Sequence, residues 1–393
     1  MKALKTAFLF WVFPILFLIS CRNSSSGSPG NPESVSSELT YTHSMERKYA
    51  QRFTVDYYEG GYGLLTIDGN SRFLVIPVGQ PVPGDLDSDV VVLRQPVENI
   101  YLAASAAMDM FVSIDALNHI RFCGIKPEGW YIPEAREAME DGRILYAGSY
   151  GAPDYERILS EQCAVAVENT MIYHTPEVKE QLERFGIPVL VDYSSYEREP
   201  LGRTEWVKCY GLLTGREEEA EKAFHAQAQE FEAVKKAAED GGEERKTVAF
   251  FYFTANGGVN VRKSSDYLSR MIEMAGGVYL FGNLGEEDGA SSTVTMQMEE
   301  FYKTAKEADC LIYNSTIDRE LISVEELVER QELLKNFKAV QQGNVFCTRK
   351  NIYQSSMELG TIMSDLHKVL TGDWEEMRYI YRLSGGRSAA FGD

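Results

Sequence analysis

Residues 214–242, "TGREEEAEKAFHAQAQEFEAVKKAAEDGG", have the pattern of one long amphipathic helix. Five of its apolar residues recur at helical spacing and form one face: Phe224, Ala228, Phe231, Val234 and Ala238. Thr214 and Glu217 have the spacing of a capping box, and two glycines after Asp240 end the pattern. At 1.5 Å per residue, some 25 residues span roughly 40 Å. The sequence therefore predicts one long helix over residues 214–241.

Apolar strands alternate with helices on both sides of this helix. The strands are predicted at 99–105, 120–125, 164–169 and 187–193 before it, and at 247–253, 309–314 and 343–348 after it. Continuous apolar strands separated by helices indicate a parallel sheet covered on both faces. The predicted fold class is α/β, with two Rossmann-like parallel-sheet lobes joined by a single long helix. A helical connector is stiffer than a pair of loops, so we expect only small lobe movements.

The segment before the first lobe has a different pattern. Residues 53–77 alternate β-branched and aromatic residues and are broken by turn residues, which predicts antiparallel strands. The predicted domains are an N-terminal lobe at 46–213 with this β-hairpin lead-in, the connecting helix at 214–241, and a C-terminal lobe at 242–393 with a helical tail.

The N-terminus has the layout of a secretory signal. Two lysines precede the apolar residues 7–19, and Leu18-Ile19-Ser20-Cys21 resembles the bacterial lipobox, in which the cysteine is lipidated. An uncleaved membrane anchor is the alternative. Residues 1–20 are predicted to be a signal peptide, and residues 21–45 a flexible lipidated linker rich in Ser, Gly and Pro. The predicted location is the extracytoplasmic face of the cell membrane, with the chain held by its lipid.

Composition narrows the classes of partner. The net charge is −20, from 59 acidic and 39 basic residues, and this disfavours nucleic acid because phosphate binding needs a basic surface. The five cysteines after Cys21 contain no C-x-x-C and mostly lie in apolar runs, which indicates buried small hydrophobes. The five histidines are scattered without H-x-H or H-x-x-x-H spacing. We therefore expect neither a bare-metal site nor a resident cofactor.

The two lobes, the long helix and the lipobox together resemble the substrate-binding proteins of bacterial ABC importers for iron–siderophores, haem and cobalamin. The resemblance covers about residues 98–372, and its strongest segment is "GIPVLVDYSSYEREPLGRTEWVKCYGLLTGREEEAEKAF" at 186–224. Further similar segments lie at 98–125, 152–169, 266–281 and 334–346.

The resemblance implies capture of a metal chelate between the lobes and its delivery to an ABC permease and its ATPase, without enzymatic chemistry. A ferric-siderophore is the expected ligand, and haem or cobalamin is the alternative. A lipoprotein hydrolase is the rival class, because carboxylates abound even though G-x-S-x-G and H-E-x-x-H motifs are missing from the sequence.

The resemblance also implies permease docking through one acidic residue on each lobe. The matching positions are Asp109, where the family more often has Glu, and Glu299, with Glu300 as a neighbouring competitor. The alternative is that acidic residues at helix starts only complement the helix macrodipole.

A ligand site between the lobes would lie at the carboxyl ends of the parallel strands. Arginines there can grip carboxylate or catecholate oxygens, and aromatic rings can form flat platforms. A histidine could ligate haem iron or cobalt, although a loop histidine is more often a polar surface group. The basic residues favour an anionic chelate over cobalamin. The predicted ligand-binding residues are Trp130, Tyr131, Tyr150, His174, Arg262, Lys263, Arg349 and Tyr353.

Overall fold

The predicted long helix is present in the computed structural model of the chain, which describes residues 35–241, 245–284 and 292–385. The helix runs from Glu217 to Asp240, with Phe224 and Phe231 buried. Ala228 and Val234 pack against the core, so the predicted apolar face is confirmed at four of its five residues, all but Ala238. The predicted signal peptide and Cys21 lie outside the described residues.

The α-helices of the described residues are, in chain order, α1 (Met108–Ser113), α2 (Pro133–Glu140), α3 (Tyr155–Ser160), α4 (Pro176–Arg184), α5 (Pro200–Glu205), α6 (Val207–Thr214), α7 (Glu217–Asp240), α8 (Tyr267–Met274), α9 (Met298–Ala305), α10 (Val324–Arg330), α11 (Lys338–Gln342) and α12 (Leu359–Thr371). The long helix α7 packs against both α6 and α12. Among the described residues, no helix is both long enough and apolar enough to cross a bilayer.

The predicted capping box at the start of the long helix is wrong. Gly215 adopts φ 72°, the left-handed conformation that ends a helix, so Thr214 is the last residue of α6. The Thr214 hydroxyl donates to the carbonyl oxygen of Tyr210 at 2.8 Å, inside α6. Arg216 is therefore the residue that precedes α7.

An N-terminal sheet precedes the first lobe. Its strands are β1 (Tyr41–Ser44), β2 (Phe53–Tyr58), β3 (Gly63–Ile67), β4 (Ser71–Ile76) and β5 (Val90–Arg94), in that spatial order. Neighbouring strands are antiparallel except β4 and β5, which are parallel. The predicted antiparallel lead-in is confirmed, and the sheet is larger than predicted. Phe53 packs on buried Trp206 at 5.1 Å between ring centroids, which joins the sheet to the core of the N-terminal lobe.

The N-terminal lobe contains a parallel sheet, as predicted. Its order is β12-β11-β6-β7-β8, and β9 and β10 form a small separate hairpin. The parallel order brings the carboxyl ends of β6, β11 and β12 to one edge. The strands of this lobe are β6 (Ile100–Leu102), β7 (Ile120–Cys123), β8 (Leu145–Tyr146), β9 (Gly148–Ser149), β10 (Ala152–Pro153), β11 (Ala166–Asn169) and β12 (Val189–Asp192).

The C-terminal lobe has a mixed sheet with a parallel centre. Its strands are β13 (Thr247–Phe253), β14 (Val259–Arg262), β15 (Val278–Tyr279), β16 (Thr293–Met296), β17 (Cys310–Tyr313), β18 (Val345–Thr348) and β19 (Ile380–Arg382). The order is β16-β14-β13-β17-β18-β19, and β15 pairs with β13. Strands β13, β15, β17 and β18 are parallel, whereas β14, β16 and β19 run antiparallel to their neighbours.

The sequence did not predict the antiparallel strand β14, because residues 254–266 read as a loop. Gly257 has φ 78°, and the Thr254 amide donates to the Gly258 carbonyl oxygen at 2.9 Å. This tight turn folds β14 back on β13 as a hairpin. The fold class is confirmed: two Rossmann-like lobes are joined by one long helix, with antiparallel strands added at the edges of the second sheet.

Candidate ligand-binding cleft

A cavity of about 660 Å³ lies between the two lobes. On its N-terminal side it is lined by loops that follow β6, β11 and β12, which matches the expected position at the carboxyl ends of parallel strands. On its C-terminal side it is lined by the segment between β14 and α8. Its lining residues are Arg52, residues 104–106 and 169–171, Asp192, residues 194–198 and 264–267, Arg270 and Ser292.

Two strand-end residues shape the N-terminal wall. The Asn169 side chain accepts from the Met171 amide at 2.9 Å, which turns the chain away from β11 into the cavity wall. Asp192 accepts from the Ser194 amide at 2.6 Å, and the Tyr210 hydroxyl donates to its other oxygen. These bonds hold the loop 193–198 against the edge of the sheet.

The walls of the cavity are rich in hydroxyl groups. Six serines from both lobes line it: Ser105, Ser194, Ser195, Ser264, Ser265 and Ser292. A hydroxyl can both donate and accept hydrogen bonds, so this lining suits a ligand that carries many oxygen atoms.

The exposed charges of the cavity are cationic. The acidic residues Asp192, Glu197 and Asp266 are only 3%, 4% and 7% exposed and use their oxygens in internal hydrogen bonds. In contrast, the side chains of Arg52 and Arg270 are 41% and 33% exposed. Arg198 is also exposed in the lining. The groups that a ligand would meet are therefore guanidinium groups, which bind carboxylate and catecholate oxygens.

An aromatic cluster lies at one side of the cavity. Tyr196 lines it and is 38% exposed, with its ring centroid 6.1 Å from that of Tyr193. The Tyr193 and Tyr173 hydroxyls are 2.7 Å apart, and burial together with this hydrogen bond raises the pKa of Tyr193. Met171 also lines the cavity and is 46% exposed. The Tyr196 ring and the Met171 thioether give the cleft an apolar side.

Direct hydrogen bonds close the remainder of the seam between the lobes. The Ser356 hydroxyl donates to the Ala106 carbonyl oxygen at 2.7 Å, and Thr204 donates to the Ser356 carbonyl oxygen at 3.1 Å. Gln354 accepts from the Tyr131 amide and donates to the Gly129 carbonyl oxygen, each at 2.8 Å. The cavity is therefore the open part of a partly closed interface.

None of the eight predicted ligand-binding residues, all of which the structure describes, lines this cavity. In the C-terminal lobe, Arg262 is the last residue of β14 and forms an ion pair with Asp266 at 3.4 Å. Arg262 also donates to the Tyr353 hydroxyl and stacks on its ring at 4.9 Å. This pair supports the cavity wall at Asp266 from behind, and both residues are only partly exposed.

Of the other two predicted basic residues, Lys263 lies beside the cavity and Arg349 lies away from it. Lys263 precedes the cavity residue Ser264, and its amide donates to the Ser292 carbonyl oxygen at 2.9 Å. Arg349 bonds to Glu320 at 3.0 Å and stacks on the ring of Tyr381 at 4.1 Å, at the opposite edge of the sheet from β14.

The four predicted residues of the N-terminal lobe also lie outside the lining. Trp130 is 0% exposed within the core, so its ring is no surface platform. Tyr131 is exposed beside the seam, where its amide meets Gln354. Tyr150 packs against an apolar cluster of the lobe that includes Tyr101 and Phe122. His174 is exposed at the end of the 3-10 helix 170–174. Their ligand contacts remain predictions without support from the cavity geometry.

The two predicted docking residues differ in their surroundings. Glu299 is exposed in the first turn of α9, as a docking residue requires. Asp109 is half-buried, and its carboxylate accepts from the Met357 amide across the seam at 2.7 Å. Burial raises the pKa of Asp109 to about 6, although the Met357 hydrogen bond acts in the opposite direction. Asp109 thus joins the lobes, a role that the sequence did not indicate.

One buried acid lies directly behind the cavity wall. Glu168 precedes Asn169 on β11 and is 0% exposed, and within the described residues neither carboxyl oxygen has a hydrogen-bond partner. Burial raises the pKa of Glu168 to about 8, which favours the neutral, protonated carboxyl group over the carboxylate.

Sequence reasoning missed the cavity residues for identifiable reasons. Tyr196 and Arg198 follow the predicted strand at 187–193, so the strand-end rule could have found them. Arg270 lies on a helix, and Arg52 lies just before β2 of the N-terminal sheet, where no sequence pattern points to the cleft. In the described part of the chain, no cluster of three or more His, Cys, Asp and Glu residues could hold a metal ion.

Comparisons with known proteins agree with this architecture. The family model for periplasmic binding proteins matches residues 127–352. An uncharacterized lipoprotein of Methanocaldococcus jannaschii is 23% identical over 349 residues, covering 82% of this chain and 81% of the relative. A second uncharacterized lipoprotein of that organism is 21% identical, covering 86% of each chain.

Solved structures share the fold. A periplasmic haem-binding protein from Pseudomonas aeruginosa has a TM-score of 0.56 at 14% identity, over 74% of this chain and 99% of its own. A protein of an ABC-type Fe³⁺-hydroxamate transport system from Saccharomonospora viridis has a TM-score of 0.55 at 19% identity, over 70% and 93%. The vitamin B12-binding protein of Vibrio cholerae has a TM-score of 0.52 at 13% identity, over 72% and 100%. With more than half of its length matched by the family model and two α/β lobes around a cleft, this chain belongs to the periplasmic binding protein family.

Proposed function

We propose that the protein is the substrate-binding component of an ABC importer and that its ligand is an anionic metal chelate, most simply a ferric-siderophore. The observation that carries this proposal is the charge distribution in the cleft. Its acids are buried and internally bonded, whereas Arg52, Arg198 and Arg270 line the cavity with side chains that are at least partly exposed. Arg52 and Arg270 each also pair with an acid outside the lining, Asp68 and Glu199. The serine hydroxyls supply further partners for a ligand rich in oxygen.

Haem is the second candidate, and one observation favours it. Tyr196 and Met171 are exposed in the cleft, and both residue types serve as axial ligands of haem iron. The haem-binding neighbour shows only that the fold is compatible with this function. The propionates of haem could pair with the same arginines.

The proposal includes lipid anchoring at Cys21, on the extracytoplasmic face, and delivery of the ligand to a permease and its ATPase. The anchoring is supported by the lipobox resemblance and by the lipoprotein names of the two relatives. Exposed Glu299 is the proposed docking residue of the C-terminal lobe.

Isothermal titration calorimetry tests the proposal. The protein without its first 34 residues would be titrated with a ferric tricatecholate, a ferric trihydroxamate, haemin and cobalamin. We expect one-to-one binding of at least one iron chelate, with the trianionic tricatecholate complex favoured. Binding of none of the four ligands would contradict the proposal, and binding of haemin alone would favour the second candidate.

A further inference from the structure

The segment that joins β1 to β2 of the N-terminal sheet is tied to the N-terminal lobe by two buried carboxylates. Glu205 accepts from the amides of Lys48, Tyr49 and Ala50 at 2.7–2.9 Å. Glu197, itself a cavity residue, accepts from the amides of residues 51 and 52 at 2.9–3.0 Å. Five consecutive amides of residues 48–52 therefore bond to carboxylates of the N-terminal lobe.

This arrangement fixes the backbone of Arg52 on both sides. The Arg52 amide donates to Glu197 at 2.9 Å, and its carbonyl oxygen accepts from the Asp68 amide at 2.7 Å. The next residue, Phe53, is buried against Trp206. A side chain on so constrained a backbone loses less conformational entropy when it binds a ligand.

The Arg52 side chain lies in the wall of the cleft. It lines the cavity beside Tyr196, Glu197 and Arg198, and its Nη1 atom is 2.8 Å from Asp68 Oδ1. With the side chain 41% exposed, the guanidinium group keeps donors for another partner. Asp68 lies in the turn between β3 and β4, and its carboxylate would compete with an anionic ligand for the guanidinium group.

We propose that the segment leading into β2 of the N-terminal sheet forms a third wall of the binding site through Arg52, and that Arg52 determines specificity by binding an anionic group of the ligand. This inference rests on the proposed function of the cleft. Arg52 lies before the family match at 127–352, so the match assigns it no role. The segment leading into β2 would thus add a recognition element to a cleft that the two lobes already form.

The test uses three variants, two ferric probes and calorimetry on the chain from residue 35. Arg52→Gln removes the positive charge, and Arg52→Lys keeps the charge but lacks the planar guanidinium group that can form two parallel hydrogen bonds. Asp68→Asn is the matched control, because it breaks the same ion pair and leaves Arg52 charged. The probes are a trianionic ferric tricatecholate and an uncharged ferric trihydroxamate, and thermal melting checks that each variant folds.

We expect Arg52→Gln to weaken binding of the tricatecholate complex about tenfold and to leave any trihydroxamate binding within about twofold. Arg52→Lys should recover part of the loss, and Asp68→Asn should match or exceed the wild-type affinity. Equal losses in Arg52→Gln and Asp68→Asn, equal losses for both probes, or an unchanged affinity in Arg52→Gln would each overturn this inference. In those cases the wild type still binds, so the proposed function stands. If the wild type binds neither of these two probes, the inference fails, and the titrations with haemin and cobalamin decide the proposed function.

Discussion

Arg270 Nη2 and Glu199 Oε1 lie 2.5 Å apart, and this ion pair joins the two lobes at the edge of the cleft. Arg270 belongs to α8 in the C-terminal lobe, and Glu199 precedes α5 in the N-terminal lobe. Because Arg270 also lines the cavity, its guanidinium group is shared between the opposite lobe and the interior of the cleft.

Removal of the Glu199 charge should strengthen binding of an anionic chelate. Glu199→Gln leaves Arg270 charged without a competing carboxylate, so we expect severalfold tighter binding of ferric tricatecholate. Arg270→Gln should weaken it about tenfold. Calorimetric titration of both variants checks this. A loss of affinity in Glu199→Gln would contradict the prediction and show that the ion pair between the lobes contributes more to binding than an unpaired Arg270 charge.

The hydrogen bonds from the amides of residues 48–50 to the Glu205 carboxylate should contribute strongly to the stability of the fold. Glu205 is 0% exposed and lies 3.4 Å from Lys208 Nζ, in addition to its three backbone bonds. We expect Glu205→Gln to lower the free energy of unfolding by about 3 kcal/mol, because a buried charged acceptor is lost. Denaturant unfolding measures this.

The matched control for that measurement is Glu218→Gln on the neighbouring helix α7. The Glu218 side chain is 86% exposed, and its pair with Lys222 spans 3.6 Å. We expect a change within about 0.5 kcal/mol. Equal changes in the free energy of unfolding for the two substitutions would show that the Glu205 hydrogen bonds do not stabilise the fold.

Glu168 should make stability fall as pH rises. The folded-state pKa is about 8 against an ordinary value of 4.5, so between these values the folded chain holds a proton that the unfolded chain releases. We expect the stability difference between the wild type and Glu168→Gln to shift by on the order of 3 kcal/mol from pH 5 to pH 8.5, in favour of the variant. Denaturant unfolding across this range checks the sign. A parallel pH dependence in both proteins would mean that the Glu168 carboxyl is solvated.

Glu299 should matter for delivery and leave capture unchanged. Glu299→Lys reverses an exposed charge in the first turn of α9, outside the cavity lining. We expect reduced ligand uptake by membranes that contain the permease, with unchanged calorimetric affinity. Glu307→Lys, just after the same helix and 78% exposed, is the control and should transport normally. Normal uptake with Glu299→Lys would remove this residue from the proposed docking surface.

The architecture could be predicted from sequence because it depends on periodicity. The apolar face of α7 and the runs at 247–253 and 309–314 have spacings that only a helix or a buried strand satisfies. The exceptions have local causes. The hairpin after β13 depends on a left-handed Gly257, and the start of α7 depends on a left-handed Gly215, neither of which changes the hydrophobic pattern.

The candidate site was much less predictable. A strand-end rule places loops near a cleft but does not say which side chains turn outward, so Trp130 was predicted at the surface and lies in the core. Arg262 and Arg349 were predicted as ligand contacts because they are basic residues near strand ends. In the structure both are paired with acids of their own lobe. Arg52 reaches the cleft only through long-range bonds to Glu197, which a sequence pattern does not encode.

Binding of an anionic iron chelate between the lobes can be observed in a crystal. The most direct measurement is the anomalous diffraction signal of iron in crystals of the protein grown with ferric tricatecholate. We expect one iron peak inside the cavity, between Ser195 of the N-terminal lobe and Ser265 of the C-terminal lobe. An iron peak elsewhere on the protein, or an empty cavity at a concentration that saturates binding in solution, would contradict it.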